Sequence, residues 1–94
     1  MTAPSQLHDT FGRLGGDFYN GGTRANVPGP GHSKRDRSLS LFHTPEGRIL
    51  WHSFVAVDPA EVWTHLGLTA AAGREMSASE AFRARQDRIR AQRA

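Results

Sequence analysis

Hydrophobic residues recur at helical spacing near the start of the chain. Leu7, Phe11 and Leu14 are separated by four and three positions, which places them on one face of a helix. The glycine pair that follows Leu14 supplies a stop signal. The pattern therefore predicts a short amphipathic helix over residues 5–14 whose apolar stripe faces a core.

The middle of the chain carries the pattern of a β-hairpin. Ser38–His43 alternates polar and apolar residues, Thr44–Gly47 has the composition of a turn, and Arg48–Phe54 has β-branched and aromatic content. Residues 17–31, in contrast, are rich in Gly, Asn and Pro. We therefore expect an irregular, exposed segment there, in which only Thr23–Val27 has strand character.

Two helix starts follow the hairpin. Asp58 is a suitable N-cap, Pro59 a suitable first helical residue and Gly67 a suitable stop, which predicts a helix of about two turns. The run Ser77–Glu80 is a capping box that opens another helix, reaching Arg93. Because arginines occur all around the axis of this last helix, it has little to bury. We expect it to fray or to become ordered on a partner.

Together these elements predict an α+β fold, with a small antiparallel sheet of two or three strands flanked by short helices. A chain of 94 residues has room for one core only. We expect one domain over residues 1–68, a small-residue linker over residues 69–76, and a basic C-terminal helix or arm over residues 77–94.

The composition narrows the possible chemistry and location. The chain has no cysteine, which excludes disulfides, thiolate zinc sites and thiol nucleophiles. No apolar run approaches the roughly 18 residues of a membrane span, and the N-terminus lacks the pattern of a signal peptide. We therefore expect a soluble, cytoplasmic protein with no membrane partner.

The net charge of +3 comes from the end of the chain. Residues 1–79 hold seven basic and seven acidic residues, which cancel, whereas residues 80–94 hold five arginines and two acids. An arginine-rich terminal helix is typical either of a solvated face or of a segment that meets an anionic partner such as nucleic acid. Both interpretations stay open at this point.

A succession of short motifs spans residues 14–68. In order these are Gly29-Pro30-Gly31-His32, a basic loop, Ser38-Leu39-Ser40-Leu41, a strand ending His52-Ser53-Phe54, and a helix that begins Asp58-Pro59 and ends Leu66-Gly67. This order resembles the zinc-ribbon domain found at the front of bacterial and of phage or plasmid DNA primases. The resemblance implies a ribbon-like fold and contact with a single-stranded template.

The metal ligands of that family are mostly replaced in this chain. His32 occupies one of four ligand positions, while Gly29, Ser53 and Val57 stand where the family has cysteines. One imidazole does not hold structural zinc, which is almost always four-coordinate. Adding the histidines of the hairpin, His43 and His52, gives three ligands without a supporting spacing rule. We expect a domain without metal or other cofactor, in which apolar residues close the emptied site: Trp51, Phe54, Val55, Val57, Trp63 and Leu66.

Catalysis finds little support in the sequence. Asp58 and Glu61 already have a capping role, and Asp36 lies between two arginines in a loop, so no acid pair is set for proton transfer. The serines lack a nucleophile elbow, and the glycines lack the spacing of a phosphate-binding loop. In the resembled family, polymerisation belongs to a separate catalytic domain. We expect this chain not to be an enzyme.

Binding is better supported, because basic residues occur in the loop, on the strands and in the C-terminal helix. Three aromatic residues, Tyr19, Phe42 and Trp51, would stack on bases if they were exposed. The candidate residues for contacts with nucleic acid or another partner are Arg24, Lys34, Arg35, Arg37, Arg48, Arg83, Arg85, Arg88 and Arg90.

Two functional hypotheses follow from this pattern. The first is a small binding protein from a phage or another mobile element, which docks on a DNA-handling protein or nucleoprotein complex as an inhibitor or modulator of anti-CRISPR type. The second is a noncatalytic priming accessory that binds single-stranded DNA. Salt dependence separates them, since phosphate contacts weaken steeply as salt rises.

Overall fold

The computed structural model describes residues 6–69 and 72–93, and the chain is an α+β protein as predicted. The start of the first predicted helix at residue 5, linker positions 70 and 71, and position 94 lie outside the described residues. In chain order the helices and strands are α1 (Gln6–Phe11), β1 (Asp17–Tyr19), β2 (Arg24–Val27), β3 (Leu39–His43), β4 (Ile49–Ser53), α2 (Pro59–Leu66), β5 (Gly73–Glu75) and α3 (Ala78–Arg93).

The strands form one sheet in the order β1-β2-β3-β4-β5. The hairpin of β3 and β4 is confirmed, with Leu41 opposite Trp51 and a turn closed by a hydrogen bond from the Gly47 N–H to the Thr44 carbonyl, 2.9 Å. The predicted number of antiparallel strands, two or three, was too low. β1 adds a fourth antiparallel strand, and β5, within the segment we expected to be a linker, pairs in parallel with β4.

The strand character predicted for Thr23–Val27 is confirmed by β2. The expectation that residues 17–31 are exposed is wrong for this strand, and the expectation that the rest is irregular is wrong for β1. All four residues of β2 are buried, because the strand lies between β1 and β3 and is covered on both faces. The flanking turns remain irregular. One of them contains Asn20, whose φ of 54° is in the left-handed region that asparagine tolerates.

One face of the sheet carries the larger core. Side chains of β2, β3 and β4 that alternate along the strands point to this face, as the period of a strand requires. Helix α1 and helix α2 pack on it, so the apolar stripe predicted near the N-terminus is confirmed. The fully or nearly fully buried members of this core are Leu7, Phe11, Ala25, Val27, Leu39, Leu41, Trp51, Val62 and Leu66.

Helix α2 begins and ends where the sequence predicts. The Asp58 carboxylate accepts a hydrogen bond from the Ala60 N–H at 3.0 Å, and Gly67 closes the helix in the left-handed conformation, with φ of 70°. Val62 and Leu66 are buried in the larger core, and Trp63 is half-buried with its ring edge-to-face to Trp51.

The opposite face of the sheet is covered by α3. Ala81 and Ala84 of the helix pack against Leu50 and Met76. The expectation that this helix has little to bury is therefore wrong for the side that faces the sheet. Small alanine side chains bring the helix close to the sheet without a large apolar stripe, which is why its hydrophobic pattern is weak.

Candidate interaction surface

Arg24 is a buried structural residue. It lies in β2 on the face covered by α3, and its Nε atom is 3.0 Å from the Asp87 carboxylate. Its guanidinium group also lies over the Phe42 ring, 4.1 Å from the centroid. Arg24 is 6% exposed. It was a candidate for partner contacts, but here it holds α3 to the sheet.

The basic loop before β3 is divided between inward and outward side chains. Arg37 turns back onto the loop, donating to the carbonyls of Lys34 and Asp36 at 2.6 and 2.8 Å and to the Asp17 carboxylate at 3.3 Å. Lys34 and Arg35 are exposed. Two of the three predicted contact residues in this loop therefore face solvent.

Asp36 organises this loop through four contacts to one carboxylate oxygen. Oδ2 accepts from the Gly29 N–H at 2.9 Å, the Ser38 N–H at 3.3 Å and the Ser38 hydroxyl at 2.5 Å, and it lies 2.8 Å from His32 Nδ1. Desolvation opposes ionisation, but the hydrogen bonds from Gly29, Ser38 and His32 outweigh it and hold the pKa of Asp36 well below its usual value. We call these four residues the Asp36 lock.

The Asp36 lock has the residue types of a catalytic triad without its order of contacts. In a triad the serine hydroxyl donates to the histidine, which the acid orients. Here the Ser38 hydroxyl donates to Asp36, and its distance to His32 Nδ1 is 3.4 Å. The arrangement fixes the loop backbone and leaves Ser38, which is 9% exposed, without a base to activate it.

The four positions that the ribbon resemblance assigns to metal ligands have other roles here. Gly29 and His32 belong to the Asp36 lock, the Ser53 hydroxyl donates to the Val55 carbonyl at 2.7 Å, and Val57 packs against the larger core. Within residues 6–69 and 72–93, no group of three or more His, Asp or Glu side chains is placed to hold a metal ion.

The apolar closure expected near those positions forms only in part. Trp51 and Leu66 are buried and Trp63 is half-buried, as that expectation requires. Phe54 and Val55 are 39% and 44% exposed, so they do not belong to the core. The strand β4 ends at Ser53, and the chain then turns away from the sheet, which carries both side chains into solvent.

Both acids of α3 are paired with arginines of the sheet. Glu80 bonds to Arg74 of β5 at 2.8 and 2.9 Å, and Asp87 bonds to Arg24. Glu80 also accepts from the Ser77 N–H at 2.8 Å, which confirms the capping box. The Arg74 hydrogen bonds, followed by that of Ser77, lower the pKa of Glu80 to about 2. The contact with Glu80 in turn raises the pKa of Arg74.

With its acids engaged, α3 presents a basic surface to solvent. Arg83, Arg85 and Arg90 are exposed, and Arg88 is half-buried at the edge of the helix. None of these arginines makes an ion pair with another described residue. The solvent side also carries Phe82 and Ile89, which are 65% and 41% exposed. We call the exposed side of Ala78–Arg93 the outer face of α3.

The remaining candidate, Arg48, lies away from the loop. It is exposed and precedes β4, at the end of the hairpin opposite to the Asp36 lock. Its backbone N–H donates to the Thr44 hydroxyl at 3.0 Å. Since β3 has five residues, about 17 Å of strand separates the two ends. Arg48 is thus separated from the basic loop, and the largest group of predicted basic residues lies on α3.

The three aromatic residues considered for base stacking are buried or half-buried and have partners within the protein. Trp51 is 1% exposed, Phe42 lies beneath Arg24, and the Tyr19 hydroxyl donates to the Asn26 side chain at 2.8 Å. Burial raises the pKa of Tyr19 to about 12. Sequence reasoning missed Phe82, although its position one residue after buried Ala81 on a helix places it toward solvent.

The comparisons with known proteins add no information to what the structure shows. No protein-family model, no curated protein and no solved structure matches this chain. Among the described residues, no helix is both long and apolar enough to cross a membrane.

Proposed function

We propose that this chain is a noncatalytic binding protein of a phage or another mobile element, which acts in the cytoplasm. It docks on a nucleoprotein complex that handles DNA and inhibits or modulates that complex, in the manner of anti-CRISPR proteins. The observation that carries this proposal is the outer face of α3, where arginines and two large apolar residues are exposed together.

The charge arrangement of α3 favours an anionic partner. Arg85 and Arg88 are three residues apart, as are Arg90 and Arg93, and side chains at this spacing are neighbours on a helix surface, so their like charges repel. The two acids that would relieve this repulsion are committed to the sheet. A partner that supplies negative charge therefore stabilises the helix as well as the complex.

The roles of the buried basic and aromatic residues favour docking on a complex over tracking along a free strand. Proteins that follow single-stranded DNA combine a continuous basic groove with stacked aromatic residues. In this chain Arg24 is buried, Arg37 is folded back, and Trp51 lies in the core. The primase-like order of motifs in residues 14–68 supports an origin in replication machinery of mobile elements.

The second candidate function, a single-stranded DNA-binding priming accessory, keeps one specific observation in its favour. Phe54 lines a surface groove together with Arg85 and Arg88. An exposed aromatic ring beside two guanidinium groups has the chemistry to stack one base and to contact its phosphates. This groove is small and holds a single aromatic side chain, so we rank it second.

A target-cleavage assay tests the first proposal. The purified chain is titrated into a panel of guide-loaded CRISPR effector complexes, each with labelled target DNA, and target binding and cleavage are both measured. We expect stoichiometric amounts of the chain to inhibit a complex. Adding more target DNA should not restore cleavage, because the DNA does not sequester the chain.

The matched variants are Arg85→Glu/Arg90→Glu on the outer face of α3 and Lys34→Glu/Arg35→Glu on the loop, which change the net charge equally. We expect the first pair to lose inhibition and the second to retain it. The proposal is overturned if every complex of the panel cleaves normally, or if inhibition disappears in proportion to added free DNA.

A further inference from the structure

We propose that the outer face of α3 inserts into an apolar groove on a partner protein, and that carboxylates line both rims of this groove. Phe82 and Ile89 are the anchors that enter the groove, and the arginines beside them pair with its rims. This inference rests on the proposed function and deepens it, because it names the chemistry of the surface on which the chain docks.

The geometry of the helix places these residues in one stripe. Phe82, Gln86, Ile89 and Arg93 follow one another at spacings of four, three and four positions, which keeps them on one side of a helix. Ala81 and Ala84 are buried against the sheet on the other side. The stripe therefore points away from the protein along about three turns of helix.

Arginines border this stripe on both sides. On a helical projection Arg83 and Arg90 fall along one edge, and Arg85 falls along the other. The acids Glu80 and Asp87 are turned toward Arg74 and Arg24 of the sheet. Two large apolar side chains with arginines on both sides are complementary to an apolar groove whose rims are negative.

The apolar anchors distinguish a protein groove from other anionic partners. A nucleic acid backbone offers phosphates to the arginines but no groove for Phe82 and Ile89 together. A second copy of the chain would bring the same arginines against one another. Only two large apolar residues would anchor the helix in a membrane surface, because every other apolar residue of α3 is an alanine. Aromatic and arginine side chains are also the types that dominate binding energy in protein interfaces.

The substitutions that test this inference leave the fold intact. Phe82 and Ile89 are exposed, so Phe82→Ala/Ile89→Ala is expected to unfold at the same temperature as the wild-type chain, measured by circular dichroism. The matched control is Val55→Ala, which shortens an exposed apolar side chain outside α3. A third variant, Arg83→Glu/Arg90→Glu, reverses one edge of the stripe.

The readout is the concentration for half-maximal inhibition in the target-cleavage assay, with phosphatidylglycerol-containing vesicles and a labelled single-stranded oligonucleotide as further probes. We expect Phe82→Ala/Ile89→Ala to weaken inhibition about 30-fold or more, and the control variant Val55→Ala to change it less than about threefold. We expect Arg83→Glu/Arg90→Glu to weaken it as well, with a loss that shrinks as salt rises.

Two outcomes overturn the inference. In the first the proposed function stands, and in the second the stripe has a partner of another class. If the wild type inhibits and Phe82→Ala/Ile89→Ala inhibits equally well, the apolar stripe does not enter a groove, although docking remains. If the wild type binds vesicles or the oligonucleotide and that variant abolishes the binding, the stripe serves a membrane or nucleic acid instead. A wild-type chain that inhibits no complex removes the proposed function and this inference together.

Discussion

Replacing Asp36 with alanine tests how much of the fold depends on the Asp36 lock. Its Oδ2 accepts from the N–H groups of Gly29 and Ser38 and from the Ser38 hydroxyl, and both donor residues are buried. A buried donor left without an acceptor costs about 1–3 kcal/mol. Since the Ser38 N–H contact is long at 3.3 Å, we take the lower half of that range, about 1–2 kcal/mol, for each of the two backbone donors. Asp36→Ala is therefore expected to lose about 2–4 kcal/mol.

Such a loss is a large part of the stability of a small domain, which is typically about 5–15 kcal/mol. For a chain of this length it corresponds to a fall in Tm on the order of 10–20 °C. Urea unfolding followed by tryptophan fluorescence measures it. The control is Asp17→Ala, which removes an exposed carboxylate from Arg37 and is expected to cost no more than about 1 kcal/mol.

The pH dependence of this difference provides an independent check. The pKa of Asp36 is depressed in the folded chain, so its contribution is fully present above the unfolded value of 3.8 and is lost as pH falls below it. The gap between wild type and Asp36→Ala should therefore be constant from neutral pH to about pH 5 and should shrink toward pH 2. If Asp36→Ala and Asp17→Ala are equally stable at neutral pH, the reasoning about the lock is refuted.

Three further predictions concern α3 and the absence of metal ligands. Asp87→Ala leaves Arg24 buried without its partner and should cost about 3 kcal/mol in urea unfolding, the lower end of the range for a buried pair because the Asp87 side chain is 18% exposed. A cost no greater than that of an exposed pair would contradict the burial of this ion pair. The pKa of Glu80 is depressed to about 2, so its bonds to Arg74 and Ser77 are kept above pH 4.5 and lost toward pH 2. Amide protection factors in the first turn of α3, which correct for the intrinsic exchange rate, should fall over that range, and constant protection factors would count against it. A chelator should leave Tm unchanged and elemental analysis should find no bound zinc, whereas one zinc ion per chain would require a different account of the fold.

Elements defined by local signals could be predicted from the sequence. The Thr44–Gly47 turn with alternation on either side gave the β3–β4 hairpin, Asp58 and Gly67 gave the ends of α2, and the Ser77–Glu80 box gave the start of α3. In each case the residues that specify the element lie within a few positions of it, and their side-chain or backbone bonds are present in the structure.

Elements defined by distant partners could not be predicted. Strands β1 and β5 have three residues each, too few for a periodic pattern, and they form because β2 and β4 offer free edges. The backbone of β5 comes so close to the Ile49 carbonyl that a side chain at Gly73 would collide with it, a contact that no local pattern reveals.

The same limit applies to the interaction surface. Arg24 was a candidate contact because it is basic, but its role depends on Asp87, far along the chain. The orientation of α3 depends on Ala81 and Ala84, whose small side chains give a weak signal in a hydrophobic pattern. Once that orientation is known, the exposure of the arginines and of Phe82 follows from helical spacing.

The central claim is that this chain acts by docking on a protein complex and not by binding nucleic acid itself. Fluorescence anisotropy of a labelled single-stranded oligonucleotide, titrated with the purified chain between about 50 mM and 200 mM salt, tests it most directly. We predict only weak, non-specific binding near physiological salt, with Kd no tighter than about 1 μM. The claim would be contradicted by a much tighter binding constant that falls steeply with salt, by about 0.7 logarithmic units per phosphate neutralised for each tenfold rise in salt concentration. That result would establish the DNA-binding alternative.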